Sequence, residues 1–346
     1  MAARLTGPPQ SRAAESRVLA ELPGWAAPLI LAAQSAGEDI DAAMRLAEKY
    51  GRALPRPGGG QTAERWAVLA AVAERNLTVA RVLEAHSDAL AILGEAGQPA
   101  PDGTWGVFAA EAPRHRVDAC QSDLTGVKPW CSLAGHLDSA LVTAHVGDDR
   151  QLFAVSLRHP SVTVAPPGDW VARGLRTVTS QPVRFDATPA RPVGGPGWYL
   201  TRPGFAWGAI GVAACWHGGA VGLQNTLLRA SADREGDLAA LHTGIVDAAL
   251  YASQAALACA ARDLDAGRAV GAAGDVLALR VRAVVADTVE RTIRQVGHAL
   301  GPAPLAFDEE HARRVADLEL YVRQHHAERD LARLGAAATA CGQDAE

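Results

Sequence analysis

The hydrophobic period of the chain changes twice, and that change limits the folds open to it more than any single residue does. From about Ser16 to Tyr50, and again from Thr62 to about Leu93, apolar residues recur every three or four positions, the spacing that gathers them on one face of an α-helix. In the second stretch Trp66, Leu69, Ala73, Leu77, Ala80, Leu83 and Leu90 fall near one face of what reads as a single long helix. The loop LPRPGGG at 54–60 separates the two, because proline lacks an amide donor and glycine resists helical ordering. Past Gly97, Pro99, Pro101 and Gly103 the period falls to two. Phe153, Val155 and Leu157 alternate with Leu152, Ala154 and Ser156, Val162 and Val164 alternate with polar neighbours, and Val183 and Phe185 lie in a further such stretch. Short strands at this spacing, with Gly/Pro turns between them, predict a compact antiparallel barrel or sandwich. Beyond Pro203-Gly204 the helical spacing returns over 205–230, His242–Asp263 and Val276–Ala299. The first ten residues, broken by Gly7, Pro8 and Pro9, read as disordered.

The last periodic segment, HARRVADLELYVRQHHAERDLARLG at 311–335, reads as one amphipathic helix. Val315, Leu318 and Val322 mark its buried face, and the next positions on that face are His325 and His326. Two readings of this pair stand: a catalytic group, or a packing feature hydrogen-bonded at the bundle edge with Asp330 one turn away. Adjacent side chains on a helix diverge by about 100°, unlike the i, i+4 pair that chelates zinc, so no metal site is expected. Glu319 and Arg323, at i, i+4, read as a surface ion pair.

Composition narrows the class. With 49% apolar and 21% charged residues in 346, and a net charge of −5, the chain is an ordinary globular protein with no basic patch for nucleic acid or an anionic membrane. Cys120, Cys131, Cys215, Cys259 and Cys341 are scattered and odd in number, which fits reduced thiols rather than disulfides or a zinc site. No signal-like N-terminus and no run of 18 apolar residues is present, so a cytoplasmic location is expected.

Several motifs together carry a family resemblance. LTGVKPWCSLAGHLDSALVTA (124–144) is similar to a glycine-lysine-tryptophan turn followed by an alanine-rich strand, and WVARGLRTVTSQPVRFDATPA (170–190) to a glycine and hydroxyl residue preceding a V-x-F-D strand. QVGHALG (295–301) stands where a glutamine followed by paired glycines would be. With the helix–strand–helix order, these make the chain resemble the acyl-CoA dehydrogenase family. The resemblance implies an α+β fold: an N-terminal helical domain (1–104), a central antiparallel β-barrel (105–203) and a C-terminal four-helix bundle (204–346). It implies FAD between barrel and bundle, a homodimer or homotetramer, and removal of hydrogen from Cα and Cβ of an acyl substrate such as a CoA thioester. By position it also implies that Trp130 lies beside the isoalloxazine ring and that the Ser132 hydroxyl reaches flavin N5 or O4. Phe108 and Ala110 would line the pyrimidine side through their backbone, and Gln295 would belong to the cofactor site.

The sequence departs from the family where the chemistry should be. Aligning Asp317 with the family's arginine-aspartate pair puts His325 where the catalytic glutamate is usual. The alternative position, in GAIGVAACWHGG (208–219), holds no acid. The arginine-x-x-phenylalanine-glycine motif is replaced by LRASADREG, where Arg229 or Arg234 would have to substitute, and the threonine-glutamate-proline segment survives only as AEAPRHR. Three functions are therefore carried forward: an FAD-dependent dehydrogenase-like oxidoreductase, a non-catalytic subunit completing a related partner chain, and a flavin monooxygenase-like enzyme using His325 or His326. Cys131, His217 and the Gly218-Gly219 pair read as packing residues.

Overall fold

The computed structural model of the protein describes residues 21–232 and 237–343. Four helices come first: α1 (Ala26–Ala36), α2 (Ile40–Tyr50), α3 (Thr62–Arg75) and α4 (Leu77–Glu95). The disordered start and the helix start at Ser16 lie outside the described residues. Each of the two helical stretches read from the sequence is divided. Gly37, in the left-handed region at φ +57°, ends α1, and Asp39 starts α2 by accepting a hydrogen bond from the Ala42 amide at 3.0 Å. The single helix expected from Thr62 to Leu93 breaks at Asn76. Its Oδ1 accepts from the Val79 amide at 3.1 Å, while Nδ2 donates to the carbonyls of Ala33 (3.1 Å) and Gly37 (2.8 Å), tying the break to the end of α1. Apolar periodicity carries no trace of the break because α3 and α4 are buried on most sides.

The middle of the chain forms one seven-stranded sheet: β1 (Trp105–Phe108), β2 (Val117–Cys120), β3 (Asp123–Ser132), β4 (Ser139–Val146), β5 (Asp149–Ser156), β6 (Val162–Val164) and β7 (Ser180–Val193). Strands β4, β2, β3, β7 and β5 pair in that order, and β5 pairs back to β4, so the sheet closes into the expected barrel. Closure removes free edges. The pairing is antiparallel except where β1 and β2 meet β4 in parallel, a long-range feature that local alternation does not encode. The glycine-lysine-tryptophan segment is not a turn. It lies inside β3, whose register against β7 shifts between Lys128 and Cys131, a bulge that re-aims Trp130.

The chain then returns to helices: α5 (Trp198–Thr201), α6 (Pro203–Ala232), α7 (Asp237–Asp265), α8 (Gly271–Leu300), α9 (Ala303–Phe307), α10 (Glu309–Tyr321) and α11 (Glu328–Gln343). The small residues of α6 allow backbone-to-backbone packing: a Cβ on Gly218 would stand 2.1 Å from the Ala70 carbonyl oxygen of α3. His217 in the same turn is buried, with Nδ1 2.5 Å from the Ser253 hydroxyl of α7. By length and composition α7 is apolar enough to cross a bilayer, yet Val246, Leu250, Leu257 and Leu264 are buried and the helix packs on α6 and α8.

The expected single helix over 311–335 is also corrected. Helix α10 ends at Tyr321, tightens into a 3₁₀ turn at Val322–Gln324, and α11 begins at Glu328. His325 is extended (φ −83°, ψ 122°), Ala327 is left-handed at φ +45°, and the Asp330 carboxylate accepts from the His326 amide at 3.0 Å. Asp330 thus caps the new helix by reaching back from its third residue. His325 and His326 therefore occupy a corner between helices. Arg323 pairs with Glu290 of α8 and not with Glu319.

Candidate functional site

The rim of the barrel next to α4 brings together three of the residues singled out from the sequence. In β3, Lys128 and Cys131 point into the barrel while Trp130 points out, 61% exposed, with its backbone in the left-handed region at φ +58°. That region costs a bulky residue about 1 kcal/mol or more, and such strain concentrates at functional positions. Ser132, half-buried, shares a hydrogen bond with the Ser180 hydroxyl of β7 at 2.8 Å. Phe108 of β1 is buried and lines the same small void as Ser132, together with Arg81, Val82 and Ala85 of α4. The void is about 20 Å³, room for one water. Ala110 follows β1 and is exposed.

Inside the barrel Lys128 is buried, and its three ammonium donors are all used: Glu111 Oε1 at 2.6 Å, Thr143 O at 3.0 Å and Thr143 Oγ1 at 2.7 Å. Burial lowers its pKa and Glu111 opposes that shift. The Cys131 thiol, buried in the same layer, is pushed up to about 12 by desolvation, so it is a small hydrophobe and no nucleophile.

Behind the void, α4 carries charges into the interior. Arg81 Nη1 donates to Glu84 Oε2 at 2.8 Å, and the Tyr321 hydroxyl lies 3.4 Å from the same oxygen. Arg81 also stacks over the Tyr321 ring at 5.9 Å. Tyr321 meets Trp216 of α6 edge to face at 6.2 Å, and Arg282 of α8 lies over Trp216 at 4.7 Å. Arg282 in turn donates to the carbonyls of Ala209 (2.8 Å) and Gln324 (2.6 Å), fixing the corner that carries His325. Burial raises the Glu84 pKa, opposed by Arg81.

His325 is 8% exposed and its Nε2 is buried with no hydrogen-bond partner. Desolvation and then the Arg282 guanidinium lower its pKa, so the imidazole is neutral at pH 7 and keeps a lone pair. His326 is exposed, with Nδ1 3.6 Å from Asp330. Of the pair, only His325 faces the interior. Gln295 is not drawn to the barrel rim by any described contact: its Oε1 lies 2.8 Å from His242 Nδ1 on α7. Arg229 lines a separate cleft of about 410 Å³ at the end of the bundle, with Thr226, Leu300, Pro304, Phe307 and Asp308. Arg234 lies outside the described residues.

Sequence reading missed Arg81, Glu84 and Tyr321. The signal was an arginine and a glutamate at i, i+3 within a helix apolar on its other faces, where a charged pair has nowhere solvated to go.

No family model matches the chain, and no curated protein matches it in sequence. Solved structures do. Butyryl-CoA dehydrogenase from Megasphaera elsdenii superposes with a TM-score of 0.77 at 15% identity, covering 92% of this chain and 99% of that one. KijD3 in complex with FMN and a dTDP-linked amino-keto sugar gives 0.74 at 16% identity, over 96% and 94%. Nitrososynthase from Micromonospora carbonacea var. africana gives 0.72 at 16%, over 96% and 99%. Over nearly its whole length, the chain has the fold of butyryl-CoA dehydrogenase: the acyl-CoA dehydrogenase fold that its sequence motifs resemble.

Proposed function

We propose that the chain is a flavin-dependent oxidoreductase that acts on a compact substrate and uses His325 as its acid–base group. The observation that carries this reading is the His325 Nε2, an imidazole nitrogen buried without a partner at the position where the resemblance calls for a catalytic carboxylate. A buried polar atom left unmatched costs about 1–3 kcal/mol, and at the position of the expected base that cost fits a nitrogen held for a ligand.

The rim residues fit a flavin. The outward indole of Trp130 offers a face for the ring system, and the Ser132 hydroxyl beside it is a donor for a flavin polar edge. When bound, a flavin supplies the hydride or oxygen chemistry, and the protein supplies position and field. The residues of this chain do the rest: neutral His325 accepts a proton at Nε2, Arg282 holds the corner through the Gln324 carbonyl, and Tyr321 and Trp216 exclude water. FAD as the flavin and FMN, the ligand of KijD3, are both compatible with this reading.

The finer assignment made from sequence, a CH–CH dehydrogenase of an acyl thioester, is less well supported than a compact substrate. Trp216 and Tyr321 are fully buried and packed edge to face, and the void at Ser132 and Phe108 has a volume of about 20 Å³. The second possibility, a non-catalytic subunit, assigns no role to the unmatched Nε2 of His325.

The test is flavin uptake followed by anaerobic reduction with a panel of small acyl, amine and phenol substrates. His325→Ala should still bind flavin but lose substrate-dependent reduction by at least about 100-fold, the usual contribution of a general base. Wild-type activity should persist at pH values below the ordinary histidine range, because burial and Arg282 keep His325 neutral there. Unchanged reduction in His325→Ala sinks the role.

A further inference from the structure

Arg81 is the one charged residue lining the void between α4 and the barrel rim; its other lining residues are apolar or, in Ser132, hydroxylic. One guanidinium donor, Nη1, is used by Glu84 at 2.8 Å. Nε and Nη2 make no protein hydrogen bond among the described residues, although the side chain is only 16% exposed. Nε and Nη2 are not among the fully enclosed polar atoms, so an acceptor entering the recess can reach them. The geometry also fixes where the group points. Glu84 holds one nitrogen and the Tyr321 ring lies under the guanidinium at 5.9 Å, so its conformation is set before any ligand arrives.

We infer that Arg81 is an anion-recognising residue of this site, and that the substrate is a compact organic acid whose carboxylate oxygen takes the place of the single water the void admits. This inference rests on reading the rim at Phe108 and Ser132 as the substrate side of a flavin site. The planar fork of arginine matches a carboxylate, and the apolar side chains of Phe108, Val107, Leu133 and Val178 around the void suit an acid whose carbon next to the carboxylate is uncharged. Glu84 is the positioning residue: it orients Arg81 and limits the free charge presented to the ligand.

Butyrate and butyramide, matched in size and differing in charge, are the probes. Calorimetric titration of the full chain, in chloride-balanced buffer, should show butyrate binding at least about ten-fold more tightly than butyramide, as expected for a charge-assisted hydrogen bond. Arg81→Gln alone strands Glu84 and is prone to misfold, so the deciding variant is Arg81→Gln with Glu84→Gln, which removes both charges together. It should bind the two probes equally, whereas Arg81→Lys should keep a reduced preference for the acid. Equal binding by the wild type, no binding of either probe, or undiminished preference in the double variant each overturn the inference. Flavin uptake is measured on the same preparations. A wild type that takes up flavin without discriminating the probes defeats this inference alone. One that prefers butyrate but takes up no flavin defeats the flavin reading alone.

Discussion

A buried lysine and a half-buried arginine sit on either side of the barrel wall, and they are treated differently. Lys128 faces the barrel interior and has every donor satisfied by Glu111 and Thr143. Arg81 faces the crevice outside β1, and only its Nη1 is hydrogen-bonded to protein among the described residues. Both lie beside carboxylates of similar distance, so the ion pair alone does not mark a site. What differs is unmet hydrogen-bond capacity. A closed network specifies the fold; an open one implies a missing partner.

The largest effect is expected on the closed side. Lys128→Met should cost about 3–5 kcal/mol in urea denaturation, because Glu111 loses its nearest cation and Thr143 its donor. A loss below about 1 kcal/mol would erase the distinction drawn between the two cations.

A second contrast lies between His325, whose Nε2 is unmatched, and His86. His86 is buried, its Nδ1 accepts from the Trp105 amide at 3.1 Å, and desolvation followed by the Arg52 charge takes its pKa to about 4. Its folded value is below the unfolded 6.5, so the unfolded chain binds the extra proton. Stability from this group is present above pH 6.5 and is lost as pH falls from 6.5 toward 4, amounting to about 3 kcal/mol. His86→Gln keeps an acceptor for Trp105 and should flatten that part of the stability–pH curve, measured by denaturation at closely spaced pH values. An unchanged slope would show that the acid sensitivity belongs elsewhere.

The smallest stability effect is expected at Trp130. Trp130→Gly relieves the left-handed backbone, and the greater freedom of the unfolded glycine chain offsets that gain, so the change should stay within about 1 kcal/mol by thermal denaturation. A large loss would make Trp130 a structural residue of the bulge.

The sequence was most informative where structure is local. The helix–strand–helix order, β5, β6 and β7, and the packing roles of Cys131 and Gly218 follow from periodicity and residue size. Its failures share one cause: the deciding contacts are distant along the chain. Asn76 breaks a helix by bonding to Ala33 and Gly37, some forty residues away. Asp317, whose Oδ1 accepts from the Leu175 amide at 2.5 Å, anchors α10 to the loop before β7, and burial takes its pKa to about 6. The corner that removes His325 and His326 from a helix is fixed partly by Arg282 of α8. The motif singles out Trp130 and Ser132, and the structure sets Trp130 outward and Ser132 half-buried on β3; the position singles out His325, which lies buried at the corner after α10. Arg81, Glu84 and Tyr321 were not legible, because their burial is decided by how α4, α6 and α10 meet.

The most direct measurement is the visible absorption spectrum of the protein titrated with FAD and with FMN, for the wild type and Trp130→Gly. The account predicts that the wild type takes up one of the two flavins, with shifted absorption bands, and that the glycine variant remains folded but binds it far more weakly. A folded wild type that leaves both flavins free in solution would contradict it.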